Sequence, residues 1–304
     1  MPQENPSEDA AMDLRGKSAV VTGGGNGIGR ALCLAFAEQG ANVLVADIEA
    51  EAALAVAEEV AAKGVRSLGV TVDVTDEASV SDLADTAWET FSSVEILVNN
   101  AGVMQVTAPV YECSAADFDW IFAVNVRGAL NGIRAFVPRL IAAGRPCRVA
   151  NTASEHALGV PHIGAGLYTA SKHAMLGLAD VLRREVPDFV KVCALCPGIV
   201  DSTLWRSSER RTDAFGGSAP APEAAGAFMR QVGMPAAEMA AQAVEGIRAG
   251  LFHIVTHPHA VDIAKSKWEE IERAFASQAP RRADDGKYDL APIMRQIVLP
   301  ETPQ

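Results

Sequence analysis

Ser18-Ala19-Val20-Val21-Thr22-Gly23-Gly24-Gly25-Asn26-Gly27-Ile28-Gly29 decides the fold of this 304-residue chain. An apolar, β-branched run leads into a glycine-rich turn, and from Ile28 onward the apolar spacing becomes that of a helix. Glycines accept positive φ and let backbone N–H groups approach a phosphate, which the positive end of the following helix favours. Such a turn alone is often a plain loop; a strand before it and a helix after it make it a phosphate-binding turn. The same alternation continues along the chain. Strand-like runs lie at 42–47, 67–72, 95–98, 149–153, 190–196 and 251–256, with helical patterns at 28–39, 48–63, 76–91, 114–143 and 167–186 between them. This order predicts one doubly wound α/β domain, a seven-stranded parallel sheet flanked by helices.

A second stretch carries chemistry. In Tyr168-Thr169-Ala170-Ser171-Lys172 the Tyr and Lys stand four apart on a predicted helix and project from one face. A phenol has a pKa of roughly 10, and a fixed cation nearby favours the phenolate and lowers that value. Ser154 lies fourteen residues upstream, at the C-terminal end of a predicted buried strand, where α/β sheets open toward a cleft.

These residues, in this order, resemble the short-chain dehydrogenase/reductase family over roughly residues 16–257. Thr22, Gly23, Gly27 and Gly29 match its Thr-Gly-x-x-x-Gly-x-Gly turn, and Asn99-Asn100-Ala101-Gly102 matches the segment that supports its central sheet. The resemblance implies a Rossmann-like fold and a catalytic set of Asn125, Ser154, Tyr168 and Lys172. Tyr168 would be the acid/base, Ser154 would hold the substrate oxygen, Lys172 would hold the nicotinamide ribose and lower the Tyr168 pKa, and Asn125 would position a water for proton relay. It further implies a cofactor site of Gly23, Asn26, Gly27, Ile28, Gly29, Asp47, Asp73, Val74, Asn100, Ala101, Gly102, Tyr168, Lys172, Pro197, Gly198, Val200 and Ser202. Asp73 would meet the adenine, and Pro197-Gly198 would flank the nicotinamide. Ser202, with Thr203 beside it, stands where the family carries Thr after Pro-Gly. The family also implies a homodimer or homotetramer built on the helices that carry Asn125 and Tyr168.

Asp47, at the end of the second strand, favours NAD: a carboxylate accepts hydrogen bonds from the adenosine ribose and repels the extra phosphate of NADP. Asn26 and Ile48 supply no cation to offset it, and only Arg30 is near in sequence. The substrate is expected to be a small-molecule secondary alcohol or ketone, bulky or aromatic. It would meet Met104, Glu155, His156, Leu204 and Trp205, with Leu158 and Val160 nearby. A weaker resemblance, in 117–121, 136–146 and the C-terminal extension, is to the Cα-dehydrogenases of lignin-derived aryl ethers. The alternatives are a steroid or terpene alcohol dehydrogenase, or a nucleotide-sensing protein on the same fold. Glu155 has two readings, one facing the substrate and a cheaper one turned to solvent or paired with an Arg.

The formal net charge of −12 argues against a nucleic-acid partner. No apolar run reaches the ~18 residues of a membrane span, and residues 1–9 are polar and acidic rather than a signal peptide, so cytoplasmic residence is expected. Five cysteines form no disulfide framework, and Cys193 and Cys196 fall on opposite faces of one predicted strand, which excludes a redox pair. His253, His257 and His259 invite a metal reading, but a catalytic metal also wants ordered partners around its ligands, and no metal is assigned. The expected organisation is a disordered segment 1–13, the NAD-binding domain 14–257 with a substrate loop at 201–235, and a helical extension 258–304. That loop, rich in Ser, Arg, Ala, Gly and Pro, reads as a lid.

Overall fold

A computed structural model describes residues 11–105, 107–282 and 285–288. The central sheet contains β1 (Ser18–Thr22), β2 (Asn42–Asp47), β3 (Ser67–Thr71), β4 (Ile96–Asn99), β5 (Cys147–Thr152), β6 (Val190–Cys196) and β9 (His253–Val255). Every ladder is parallel and the order is β3-β2-β1-β4-β5-β6-β9. All of β1, β4 and β5 is buried, as strands covered on both faces must be.

Strand alternation feeds two cores. Val21 and Val45 face one, with Leu32 and Phe36 of α1 (Gly27–Glu38), Val56 of α2 (Ala50–Ala61) and Ile247 of α8 (Ala236–Ala249). Val20 and Leu44 face the other, with Leu83 of α3 (Glu77–Phe91), Phe136 of α5 (Gly128–Ala143) and Met175 of α6 (Gly166–Glu185). Cys193 lies in the first core and Cys196 in the second, both as free thiols.

The chain reverses its direction of travel across the sheet on either side of β1, so a crevice opens beyond the carboxyl ends of β1 and β4. Thr22 and Asn100 lock that point. Thr22 Oγ1 accepts the N–H groups of Asn100 (3.0 Å) and Ala101 (3.1 Å), and the Asn100 amide donates to the Thr22 carbonyl at 3.0 Å.

Three expectations change. The helix read at 114–143 is α4 (Ala115–Phe122), a π-helical turn at Ala123–Arg127, then α5. A π turn admits an extra residue per turn, and here it surrounds Asn125. The loop at 201–235 is not irregular: it holds 3₁₀ turns at Leu204–Arg210 and Asp213–Phe215, α7 (Glu223–Val232), and a two-stranded ladder of β7 (Val200–Asp201) and β8 (Met234–Pro235). Finally, residues 11–13 are ordered. Met12 is buried and its N–H donates to the Arg248 carbonyl at 2.9 Å, whereas 1–10 lie outside the described residues.

By its contacts the chain divides into two compact units, residues up to Pro258 and residues from His259 onward. All the elements above belong to the first. The second carries α9 (Ala260–Gln278), in which Val261, Ala264, Trp268, Ile271 and Phe275 fall at helical spacing.

Candidate active site

The glycine turn is shaped by close approach. A Cβ on Gly29 would sit 1.8 Å from the Gly23 carbonyl oxygen, and one on Gly23, at φ +62°, would sit 2.8 Å from the Ala101 Cα. No larger residue fits either place without moving backbone. Asp47 braces the turn from β2, accepting the N–H of Gly25 at 2.8 Å and of Glu49 at 3.0 Å. Every residue read from the sequence as cofactor-binding lines one groove over this turn and the crevice, from Asp47 and Asp73 to Pro197, Gly198 and Ser202. The cradle of glycines, the carboxylate at the strand end and the helix N-terminus fit a dinucleotide.

Ser154, Tyr168 and Lys172 line the same groove, and Asn125 stands behind Gly102 without lining it. Asn125 is fixed by its amide: Oδ1 accepts the Val103 N–H at 2.8 Å, and Nδ2 donates to the Val103 carbonyl at 2.9 Å and to Ser171 Oγ at 3.0 Å. Lys172 Nζ donates to the Thr152 carbonyl at 2.8 Å and stands 5.4 Å over the Tyr168 ring centre. A Cβ on Gly102 would lie 3.5 Å from both Asn125 Oδ1 and Lys172 Nζ, so only a glycine-sized residue separates them. Burial lowers the Lys172 pKa to about 8, against an opposing effect of Cys196. Burial also pushes the Tyr168 phenol up to about 12; its hydrogen bond with Ser154 works the other way, and Glu155 adds to the rise. This corrects the expectation of a lowered Tyr168 pKa, because desolvation of a side chain only 8% exposed outweighs any pull from a cation bonded to Thr152.

Ser154 and Tyr168 also line a second, mostly apolar cleft, together with Met104, Ile163, Ile199, Leu204, Trp205, Phe228 and Met229. Glu155 and His156 line it as expected, whereas Leu158 and Val160 do not. Glu155 is 2% exposed, which overturns the solvent reading, and its Oε1 lies 3.2 Å from His162 Nε2. The His156 and His162 ring centres lie 4.2 Å apart with their planes tilted by 39°, His156 meets the Tyr168 ring edge-on at 5.2 Å, and its Nδ1 bonds Thr169 Oγ1 at 2.7 Å. Burial, with His162 adding to it, takes the His156 pKa down to about 4, so the ring is neutral near pH 7. His257 is occupied by the Gly198 N–H at 3.0 Å and the Ile199 carbonyl at 3.0 Å. Among the described residues no group of three His, Cys, Asp or Glu side chains is gathered as a metal site.

Residues 17–213 match the family model for short chain dehydrogenases. The chain belongs to the short-chain dehydrogenase family. It is similar to 1-deoxy-11-beta-hydroxypentalenate dehydrogenase of Streptomyces avermitilis, 39% identical over 225 residues that cover 73% of this chain and 83% of the relative. It is 27% identical to the C alpha-dehydrogenase of a Sphingobium species over 281 residues, 90% of each chain. Among solved structures, a short-chain dehydrogenase from Burkholderia phymatum in complex with NAD superposes with a TM-score of 0.81 at 32% identity, covering 89% of this chain and 98% of the other. This short-chain dehydrogenase is an oxidoreductase acting on CH–OH groups.

Sequence reading missed residues that reach the site from far along the chain. Arg210 lines the dinucleotide groove, its Nε 2.6 Å from Glu49 Oε2, and Asn26 of the glycine turn donates to the same oxygen at 3.3 Å. Arg210 is therefore a cation in the groove that Asp47 also lines, while Arg30 is engaged by Glu59 at 3.0 Å. His162, Gln105, Ile163 and Ile199 are among the missed cleft residues. No motif marks them, though His162 could have been sought as a partner once Glu155 was placed next to the serine.

Proposed function

We propose that this short-chain dehydrogenase interconverts a bulky, largely apolar secondary alcohol and its ketone, with NAD as hydride carrier and Tyr168 as the acid/base. One observation carries the reading: Ser154 and Tyr168 line both the dinucleotide groove and the apolar cleft, so a carbinol held between them touches both compartments. NAD, when bound, supplies the hydride acceptor, and NADH the donor. Gly23, Gly27 and Gly29 would admit its pyrophosphate and Asp47 its ribose.

Ser154 and Tyr168 bind the substrate oxygen from the cleft side. With its pKa pushed up to about 12, Tyr168 is a neutral phenol near pH 7 and a ready proton donor to a ketone oxygen. Oxidation needs the reverse, a proton taken at Tyr168 Oη from the carbinol. Lys172 and Asn125, on either side of Gly102, carry the polar groups along which that proton would leave. Leu204, Trp205, Phe228 and Met229 exclude water from the reacting carbon. Acid/base placement of this kind contributes about 10²–10⁴ in rate.

The apolar lining supports a benzylic alcohol, with steroid and terpene alcohols as the alternatives. A nucleotide sensor is disfavoured because it needs no Ser-Tyr pair facing a second cleft. The test is NADH formation from NAD with benzylic, steroid and terpene alcohols. Turnover of one class supports the reading, and tight NAD binding with turnover of none sinks it in favour of the sensor.

A further inference from the structure

The dinucleotide groove holds little positive charge. Among the described residues that line it, Lys172 and Arg210 are the cations, set against the acids Asp47 and Asp73. Lys172 is buried, donates to the Thr152 carbonyl at 2.8 Å and stands over the Tyr168 ring, so its charge serves the reacting end. A dinucleotide brings the negative charge of its pyrophosphate into a chain whose own net charge is −12. The glycine turn meets that charge with backbone dipoles alone.

Arg210 stands beside this turn. Its Nε and the Asn26 amide meet the same Glu49 oxygen, at 2.6 Å and 3.3 Å. Its Nη2 lies 3.5 Å from Thr203 Oγ1, and a Cβ on Gly27 would lie 3.4 Å from the Thr203 N. The guanidinium is thus bracketed by Glu49 and Thr203, each next to a residue of the turn. Glu49 engages the Nε edge, and a guanidinium has donors on its other edges for a second anion. The side chains of Arg210 and Glu49 are 26% and 45% exposed, so a ligand can reach the pair, and an exposed pair of this kind contributes little to folding stability.

We infer that Arg210, held by Glu49, is a cofactor-binding residue: its guanidinium takes a phosphate of the dinucleotide's pyrophosphate at the glycine turn. This rests on the reading of the groove as the dinucleotide site. The pyrophosphate is favoured over the 2′-phosphate of NADP because the Asp47 carboxylate, at the ribose, repels the latter. Arg210 ends the 3₁₀ turn Leu204–Arg210, whose Leu204 and Trp205 line the apolar cleft, so one short element touches cofactor phosphate at one end and substrate at the other.

Four ligands provide the test: adenosine, ADP-ribose, NADH and NADPH, bound to the full chain. ADP-ribose and NADH carry the pyrophosphate, adenosine lacks it, and NADPH adds the 2′-phosphate. The last three are titrated calorimetrically, and adenosine is read by displacement of NADH. Arg210→Ala should lose ~10- to 100-fold in affinity for ADP-ribose and NADH alike, as hydrogen bonds between charged groups dictate, while adenosine binds as to the wild type. Arg210→Lys keeps the charge without the planar fork and should lose less. Unaltered adenosine binding also shows that a variant is folded, and Arg210→Gln carries the same comparison if the alanine variant does not fold. Unchanged affinity for ADP-ribose and NADH overturns the inference, and so does an equal loss for adenosine, which marks a turn that only props the groove. A loss for NADPH about tenfold or more beyond that for NADH assigns the guanidinium to the 2′-phosphate and overturns it as well. A wild type that binds none of the three pyrophosphate ligands sinks the dinucleotide reading itself, whereas wild-type binding that the variants leave intact sinks this inference alone.

Discussion

Replacing Asp47 with Ala should remove two separate things. The first is a brace: its carboxylate, 7% exposed, accepts the Gly25 N–H at 2.8 Å and the Glu49 N–H at 3.0 Å. Hydrogen bonds to a charged acceptor are worth about 1.5–3 kcal/mol each, and water entering the opened space returns part of that, so folding stability should fall by about 2–4 kcal/mol. In a domain of this size that lowers Tm by about 5–15 °C. The second is charge. At about 4 Å and an effective dielectric constant near 20, a carboxylate and the 2′-phosphate of NADP repel by roughly 4 kcal/mol, of which Arg210, 2.6 Å from Glu49, screens part. The NADP/NAD ratio of kcat/KM should therefore rise by roughly 10²–10³ in Asp47→Ala. Asp47→Asn should recover part of the stability, since one amide oxygen can still accept, and none of the discrimination. Thermal unfolding without cofactor, and kcat/KM for each cofactor with one alcohol, read the two effects apart. A wild type that prefers NADP, or a ratio in Asp47→Ala within about threefold of the wild type, refutes the argument.

Other outcomes follow from the same geometry. Lys172 has its pKa lowered from 10.5 to about 8, so between those values the unfolded chain binds more protons and stability rises with pH. Tyr168, raised from 10.0 to about 12, works oppositely above pH 10, where stability falls. From pH 8 to pH 10.5 the stability gap between Lys172→Met and the wild type should shift in favour of the wild type by roughly 3 kcal/mol; denaturant titrations that show a pH-independent gap contradict this. The segment at 201–235 should gain amide-exchange protection when an apolar alcohol joins the cofactor complex, even though Ser207 already accepts the Met104 N–H at 3.2 Å and Arg211 is 2.5 Å from Asp117. Equal protection with and without substrate would instead mark a fixed wall. Light scattering at micromolar concentration should find a dimer or tetramer, and a monomer alone contradicts the family expectation.

How much could be read in advance depended on distance along the chain. The glycine turn, Asp47, Ser154, Tyr168 and Lys172 are legible because each sits at the end of a strand or on one helix face, where local pattern determines direction. The parallel pairing of seven strands was likewise implied by βαβ alternation; their order across the sheet was not. Arg210 and His162 were not legible. Each is an ordinary surface-type residue until a 3₁₀ turn brings the guanidinium to Glu49, or a glycine-bounded loop turns the imidazole onto Glu155. The π turn at Ala123–Arg127 escaped for another reason, since its apolar spacing is that of the α-helices on either side. The pKa of Tyr168 was misjudged because proximity to Lys172 is visible in a sequence and desolvation is not.

The proposed reaction turns on Tyr168 moving the proton. Tyr168→Phe keeps a ring that is 8% exposed and packed edge-on against His156 at 5.2 Å, so the fold and the dinucleotide groove should survive. The decisive measurement is the rate of NADH formation from NAD and the best alcohol of the panel, in wild type and Tyr168→Phe, with NADH affinity taken from fluorescence on the same samples. Turnover should fall by about 10²–10⁴ with NADH affinity nearly unchanged. Turnover at the wild-type rate in Tyr168→Phe would contradict it.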